Sequence, residues 1–214
     1  MKTNRALIVV DLQKDFCPGG SLAVPDGDKI VPIVNDLLGK FDLIIFTKDW
    51  HHPSMYAFDS YQSSNYGKHA FEKYTNEQGQ EDVIWPDHCV EETDGAEFHP
   101  DLDLGKCKKD FYIFKKGNMP HYHPYSGFGE VLETNESELH LFLKEREIKE
   151  IYIVGLAGDY CCKETALDAV KLGYDTYFIK DCIKFIGNSK ETFDLLNKAK
   201  VKILESWVLS HILI

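Results

Sequence analysis

A chain of 214 residues that is 43% hydrophobic and 28% charged has the composition of a soluble globular protein. On a prior of roughly 100–200 residues per domain it predicts one domain over 1–214. Its 35 acidic against 24 basic residues give a net charge of -11, which excludes an unassisted nucleic-acid footprint because phosphate binding needs clustered positive charge.

In chain order, Ala6-Leu7-Ile8-Val9-Val10 is a continuous apolar run ending in Asp11, the pattern of a parallel strand buried on both faces. Leu43–Phe46 and Ile151–Val154 repeat it, and Tyr112–Phe114, Thr176–Ile179 and Val201–Leu204 are weaker versions. Helical spacing marks Ile30–Leu38, Ser137–Arg146 with Ser137 as cap, Cys161–Leu172 and Ser189–Lys200. This alternation predicts an α/β fold, a three-layer α/β/α sandwich around a six-stranded, mainly parallel sheet with ligands at the strands' carboxyl ends. The Tyr-, His- and Gly-rich stretch over about 50–110 breaks the alternation and is expected to form a lid over the site or a partner surface. No run approaches the roughly 20 apolar residues of a membrane span, and the N-terminus leads straight into the first strand, so a cytoplasmic protein without membrane contact is expected. The six cysteines, Cys17, Cys89, Cys107, Cys161, Cys162 and Cys182, are then free thiols.

Two constellations carry chemistry. Asp11, Lys116 and Cys161 each follow a strand, and Cys161 opens a helix. A carboxylate, a cation and a thiol at a helix N-terminus would make a nucleophile whose thiolate is stabilised by dipole and charge. Asp49 and His51, two apart in an extended segment, face one way, and His88 can complete a three-ligand site with open positions.

The runs Val9-Val10-Asp11-Leu12-Gln13-Lys14-Asp15-Phe16, Thr47-Lys48-Asp49-Trp50-His51, Trp85-Pro86-Asp87-His88-Cys89, Phe114-Lys115-Lys116-Gly117 and Gly155-Leu156-Ala157-Gly158-Asp159-Tyr160-Cys161 carry a resemblance. Together they resemble the nicotinamidases of the isochorismatase-like cysteine hydrolase superfamily, a likeness extending through Thr165–Ala169. The resemblance implies the superfamily's fold and a catalytic triad of Asp11, Lys116 and Cys161, with Lys115 and Cys162 as bystanders. It implies an oxyanion hole from the backbone of Ala157 and Cys161 after a cis Leu156–Ala157 bond. Phe16, Trp85 and Tyr125 match substrate-pocket positions. Asp49, His51 and His88 match ligands of one divalent metal, zinc foremost, with iron and manganese as alternatives. The implied reaction is hydrolysis of nicotinamide to nicotinic acid and ammonia through a cysteine thioester in NAD salvage, with pyrazinamide as a further substrate. A homo-oligomer is left open. Two departures stand out: Met55-Tyr56-Ala57-Phe58 offers no fourth side-chain ligand at Ala57, so that water would complete the shell, and the 118–124 stretch is longer than in the shortest relatives. The competing readings are another amide or enol-ether hydrolase of the superfamily, and a non-catalytic metal-binding module.

Overall fold

The computed structural model describes residues 4–76, 79, 81–109, 111–129 and 137–212; within the 50–110 insertion, residues 77, 78, 80 and 110 lie outside the described set. The strands are β1 (Arg5–Val10), β2 (Ile44–Asp49), β3 (Lys73–Thr75), β4 (Glu81–Val83), β5 (Phe111–Lys116), β6 (Glu150–Gly155), β7 (Asp175–Ile183) and β8 (Lys202–Leu204). The helices are α1 (Val31–Leu38), α2 (Asp59–Tyr66), α3 (Glu138–Glu145), α4 (Cys161–Lys171), α5 (Ser189–Lys198) and α6 (Leu209–Ile212). Six strands form one parallel sheet in the order β5-β2-β1-β6-β7-β8.

The apolar runs become central strands because both faces of the sheet are covered. Along β1, Leu7 and Val9 enter one core cluster, while Ala6, Ile8 and Val10 enter the other. Tyr152 and Val154 of β6 go to the first cluster and Ile151 and Ile153 to the second, the same two-residue alternation. The first cluster is closed by Val31, Val34, Leu37 and Leu38 of α1, the second by apolar residues of α3, α4 and α5. Right-handed crossovers produce this division: steps from β1 outward put connections on one face, and the return to β6 and onward puts them on the other. The direction reverses between β1 and β6, the switch point where ligands of such sheets bind.

Helix α3 starts where its cap was expected, with Ser137 Oγ accepting from the His140 N–H at 3.1 Å. The insertion holds more structure than expected. It contains α2, the antiparallel β3–β4 pair, and a small core of Met55, Ala57, Phe58, Tyr74 and Ile84. Among the described residues no helix is long and apolar enough to cross a membrane.

Candidate active site

Four strand ends converge at the switch point. Asp11 leaves β1 with a positive φ of 45°, and its Oδ1 accepts from Thr47 Oγ1 of β2 at 2.6 Å. Lys116 ends β5 in register beside Asp49, which ends β2, and its ammonium bonds the Asp49 carboxylate. The same Nζ lies 3.0 Å from Asp11 Oδ2 and 3.5 Å from Cys161 Sγ, where α4 begins after β6. The structure thus brings Asp11, Lys116 and Cys161 together and adds a contact not foreseen: Lys116 also touches the proposed metal carboxylate. Lys115 is exposed, its Nζ 3.5 Å from the centre of the Trp50 ring.

Burial and charge set the proton positions. Burial alone would lower the Lys116 ammonium, yet Asp11 and Asp49 outweigh it and hold the pKa well above the usual lysine range. Burial raises the Asp11 carboxyl despite the opposing pull of Lys116, and it lifts the Cys161 thiol well above its ordinary value in the same way. Enclosure, aided by two carboxylates, outweighs the lysine, and the resting group is a thiol beside a carboxylate of increased basicity.

The second constellation is equally compact. His51 Nε2 lies 3.4 Å and His88 Nε2 3.9 Å from Asp49 Oδ2. The His51 Nδ1 contact to the Gly117 carbonyl at 2.9 Å, and the His88 Nδ1 contact to the Pro86 carbonyl at 2.7 Å, assign the protons to Nδ1 and leave both Nε2 lone pairs facing the carboxylate. His51 Nε2 is buried with no hydrogen-bond partner among the described residues. Burial pushes His88 down to about 4, so its imidazole is neutral at pH 7. Imidazole nitrogens aimed at a carboxylate fit a divalent cation, which binds their lone pairs and the negative charge together.

Two glycines permit these approaches. Gly117 has φ +79°, and a Cβ there would stand 2.3 Å from His51 Cε1. Gly155 has φ +122°, and a Cβ would meet the Val10 carbonyl oxygen at 2.0 Å, where β6 pairs with β1.

Phe16, Trp85, Tyr125, Ala157 and Cys161 line one narrow cavity against Asp49 and His88. Trp85 Nε1 donates to the Tyr125 hydroxyl at 3.0 Å, which donates to Asp82 Oδ1 at 2.8 Å, fixing that wall. The Leu156–Ala157 peptide is cis, and Cys161 is the first residue of α4, whose first-turn N–H groups lack acceptors within the helix.

Several contributors escaped sequence reasoning. Gln13 clamps Asp49 through its backbone: its Oε1 accepts from Asp49 N at 2.8 Å, and its Nε2 donates to Asp49 O at 2.7 Å and to Ala96 O at 2.8 Å. Asp15 Oδ2 accepts from Cys89 N at 2.7 Å, holding the segment that carries His88. Tyr160 meets Trp85 edge-on at 4.9 Å. His123, from the 118–124 stretch, stacks on His51 with ring centres 4.8 Å apart and lines the cavity. Gln13 and Asp15 stand in the run around Asp11, where the resemblance assigns roles to Asp11 and Phe16 alone. His123 carried no signal beyond a histidine-rich loop.

A family model described as Isochorismatase domain matches residues 5–204. The chain is 43% identical over 183 residues to the nicotinamidase of Acinetobacter baylyi, covering 86% of this chain and 82% of that one. Among solved structures, the Acinetobacter baumanii nicotinamidase pyrazinamidease superposes with a TM-score of 0.88 at 39% identity, covering 96% of this chain and 98% of that one. The pyrazinamidase of Pyrococcus horikoshii, solved in complex with zinc, gives 0.76 at 35% identity, covering 95% and 99%.

Proposed function

Because the chain belongs to the isochorismatase family, we propose on that premise that it hydrolyses nicotinamide to nicotinic acid and ammonia in NAD salvage, and pyrazinamide likewise. The observation that carries the reading is the place of Lys116, whose ammonium touches Asp11 and Cys161 on one side and Asp49 of the Asp/His cluster on the other. Thiol chemistry and a cation site then share one wall of one cavity.

In the proposed reaction Asp11 takes the Cys161 proton as the sulfur attacks the carboxamide carbon. The C–S bond forms while the carbonyl electron pair moves to oxygen, held by the N–H groups of Ala157 and Cys161. Asp11 returns the proton to nitrogen, the C–N bond breaks and ammonia leaves a thioester. A water molecule then gives a proton to Asp11 and attacks the thioester carbon, the C–S bond breaks, and the sulfur recovers its proton as the acid departs. Lys116 balances the negative charge shared by Asp11 and sulfur throughout. Phe16, Trp85 and Tyr125 enclose the ring. A divalent cation on Asp49, His51 and His88, proposed as zinc with iron and manganese able to take the same donors, supplies a Lewis-acid site for the ring nitrogen. The chain is proposed to act in the cytoplasm as a single domain over 1–214, with the 50–110 insertion forming part of the cation site and lid, alone or as a homo-oligomer.

Ammonia release from nicotinamide by metal-replete protein is the test. Release is expected from the wild type and Cys162→Ala, and none from Cys161→Ala. Full activity in Cys161→Ala would overturn the mechanism; turnover of carbamoyl compounds in place of nicotinamide would overturn the substrate.

A further inference from the structure

The 117–129 loop brings a third imidazole to the Asp49–His51–His88 cluster. Both ring nitrogens of His123 are buried, and neither has a hydrogen-bond partner among the described residues. One ligand nitrogen from each of His51, His88 and His123 lies within 4.8 Å of the others. We propose that His123 is a fourth protein ligand of the cation held by Asp49, His51 and His88, an inference that rests on that site binding a divalent cation.

As a packing residue His123 is costly, because a buried imidazole without partners forfeits the hydrogen bonds water would give it. As a ligand it has its missing partner. Zinc–nitrogen bonds of about 2.1 Å place opposed donors roughly 4.2 Å apart and adjacent ones nearer, so donors within 4.8 Å close on an ion with shifts below about 1 Å. The loop holds the ring there from both sides: the Pro120 carbonyl accepts from Tyr56 N at 2.7 Å, and the Pro124 carbonyl accepts from Lys116 Nζ at 3.4 Å. Gly117, at the start of the loop, lets its chain pass against the His51 ring. Ala57 offers no donor atom in its side chain, and His123 supplies from this loop what water was expected to supply. Three imidazoles and one carboxylate favour zinc, copper, nickel or iron over magnesium and manganese, which prefer oxygen-rich sets.

X-ray absorption on the zinc-loaded wild type counts imidazoles directly: three are expected, and two in His123→Ala. In chelator competition His123→Ala should bind zinc at least about tenfold more weakly, since loss of even an outer partner of a ligand costs about 10–100-fold. His121→Ala, on the exposed part of the same loop, should bind as the wild type does, and His51→Ala should bind weakly. Melting of each metal-free variant establishes that it folds; the wild-type count decides the question should His123→Ala fail to do so. Two imidazoles in the wild type, or normal affinity in His123→Ala beside weak binding in His51→Ala, overturns the role of His123 alone. Normal affinity in His51→Ala overturns the cation site itself.

Discussion

Replacing Lys116 by alanine removes the ammonium that stands 3.0 Å from Asp11 Oδ2 and 3.5 Å from Cys161 Sγ. At an effective dielectric of about 20, a unit charge pair at the sulfur distance interacts by roughly 332/(20 × 3.5), about 5 kcal/mol. The lysine's own desolvation returns part of this, and breaking a buried pair by removing one partner costs about 3–5 kcal/mol in general. Taking about 3–4 kcal/mol as the net loss for the thiolate, its population falls roughly 10²–10³-fold at about 1.4 kcal/mol per factor of ten. We predict that kcat/KM for ammonia release falls by the same factor. The pH midpoint of Cys161 alkylation should move upward, because losing a cation disfavours the anion that reacts. Zinc content should persist, since the bound cation still compensates Asp49. Lys115→Ala is the matched control, its ammonium resting on Trp50 at the exposed surface. Turnover and mass-spectrometric labelling of the Cys161 peptide across pH are the measurements. Near-normal turnover with an unmoved midpoint in Lys116→Ala, or equal effects of the two lysine variants, would refute the argument.

Two further predictions concern residues that touch no substrate. Gln13→Ala strips hydrogen bonds from both backbone groups of Asp49, at about 1–3 kcal/mol for each group left buried and unpaired. Denaturant melts should show that loss, and chelator competition about 10–100-fold weaker zinc binding; unchanged affinity would remove Gln13 from the support of the site. Gly117→Ala drives a methyl group into the His51 ring and should likewise weaken zinc binding. Gly67→Ala, also at positive φ but with nothing among the described residues within 4 Å of the added carbon, should destabilise by about 1–2 kcal/mol and bind zinc normally. Equal affinity in the two glycine variants would refute the steric account.

The central strands β1, β2 and β6 were legible because burial on two faces writes itself as an unbroken apolar run, while the partly exposed edge strands β5 and β8 left weaker ones. Helix starts were legible where a cap or a helical stripe marked them, as at Ser137. The insertion was not, because α2 buries only Gln62 among its eight residues and the paired β3 and β4 are three residues each, too little for either period to register. In the site, Asp11, Lys116, Cys161 and the Asp49–His51–His88 set could be picked out as candidates from residue type and position, and the resemblance gave them their proposed roles. What the sequence withheld was contact through the backbone and across the fold: Gln13 acts on Asp49 by its main chain, and His123 reaches His51 from 72 positions away along a loop without periodicity. The ionisation of Cys161 was also out of reach, since it depends on enclosure.

Strand β2 explains why the two constellations come together. In an extended segment residues two apart share a face. Thr47 therefore bonds Asp11, Asp49 bonds Lys116, and His51 turns toward the same cluster. The intervening Lys48 and Trp50 face elsewhere, with Lys48 paired to Glu97 at 2.9 Å and 5.0 Å from the Trp50 ring centre. Across the ladder, Asp49 pairs with Lys116 and Lys48 with Lys115. A slip of one residue between β2 and β5 would set Lys115 beside Asp49 and turn Lys116 to the opposite face. The proposed triad would then lose its cation and Asp49 its partner in a single step. One register thus selects which of two adjacent lysines reaches the Cys161 thiol and holds the carboxylate of the proposed cation site against it.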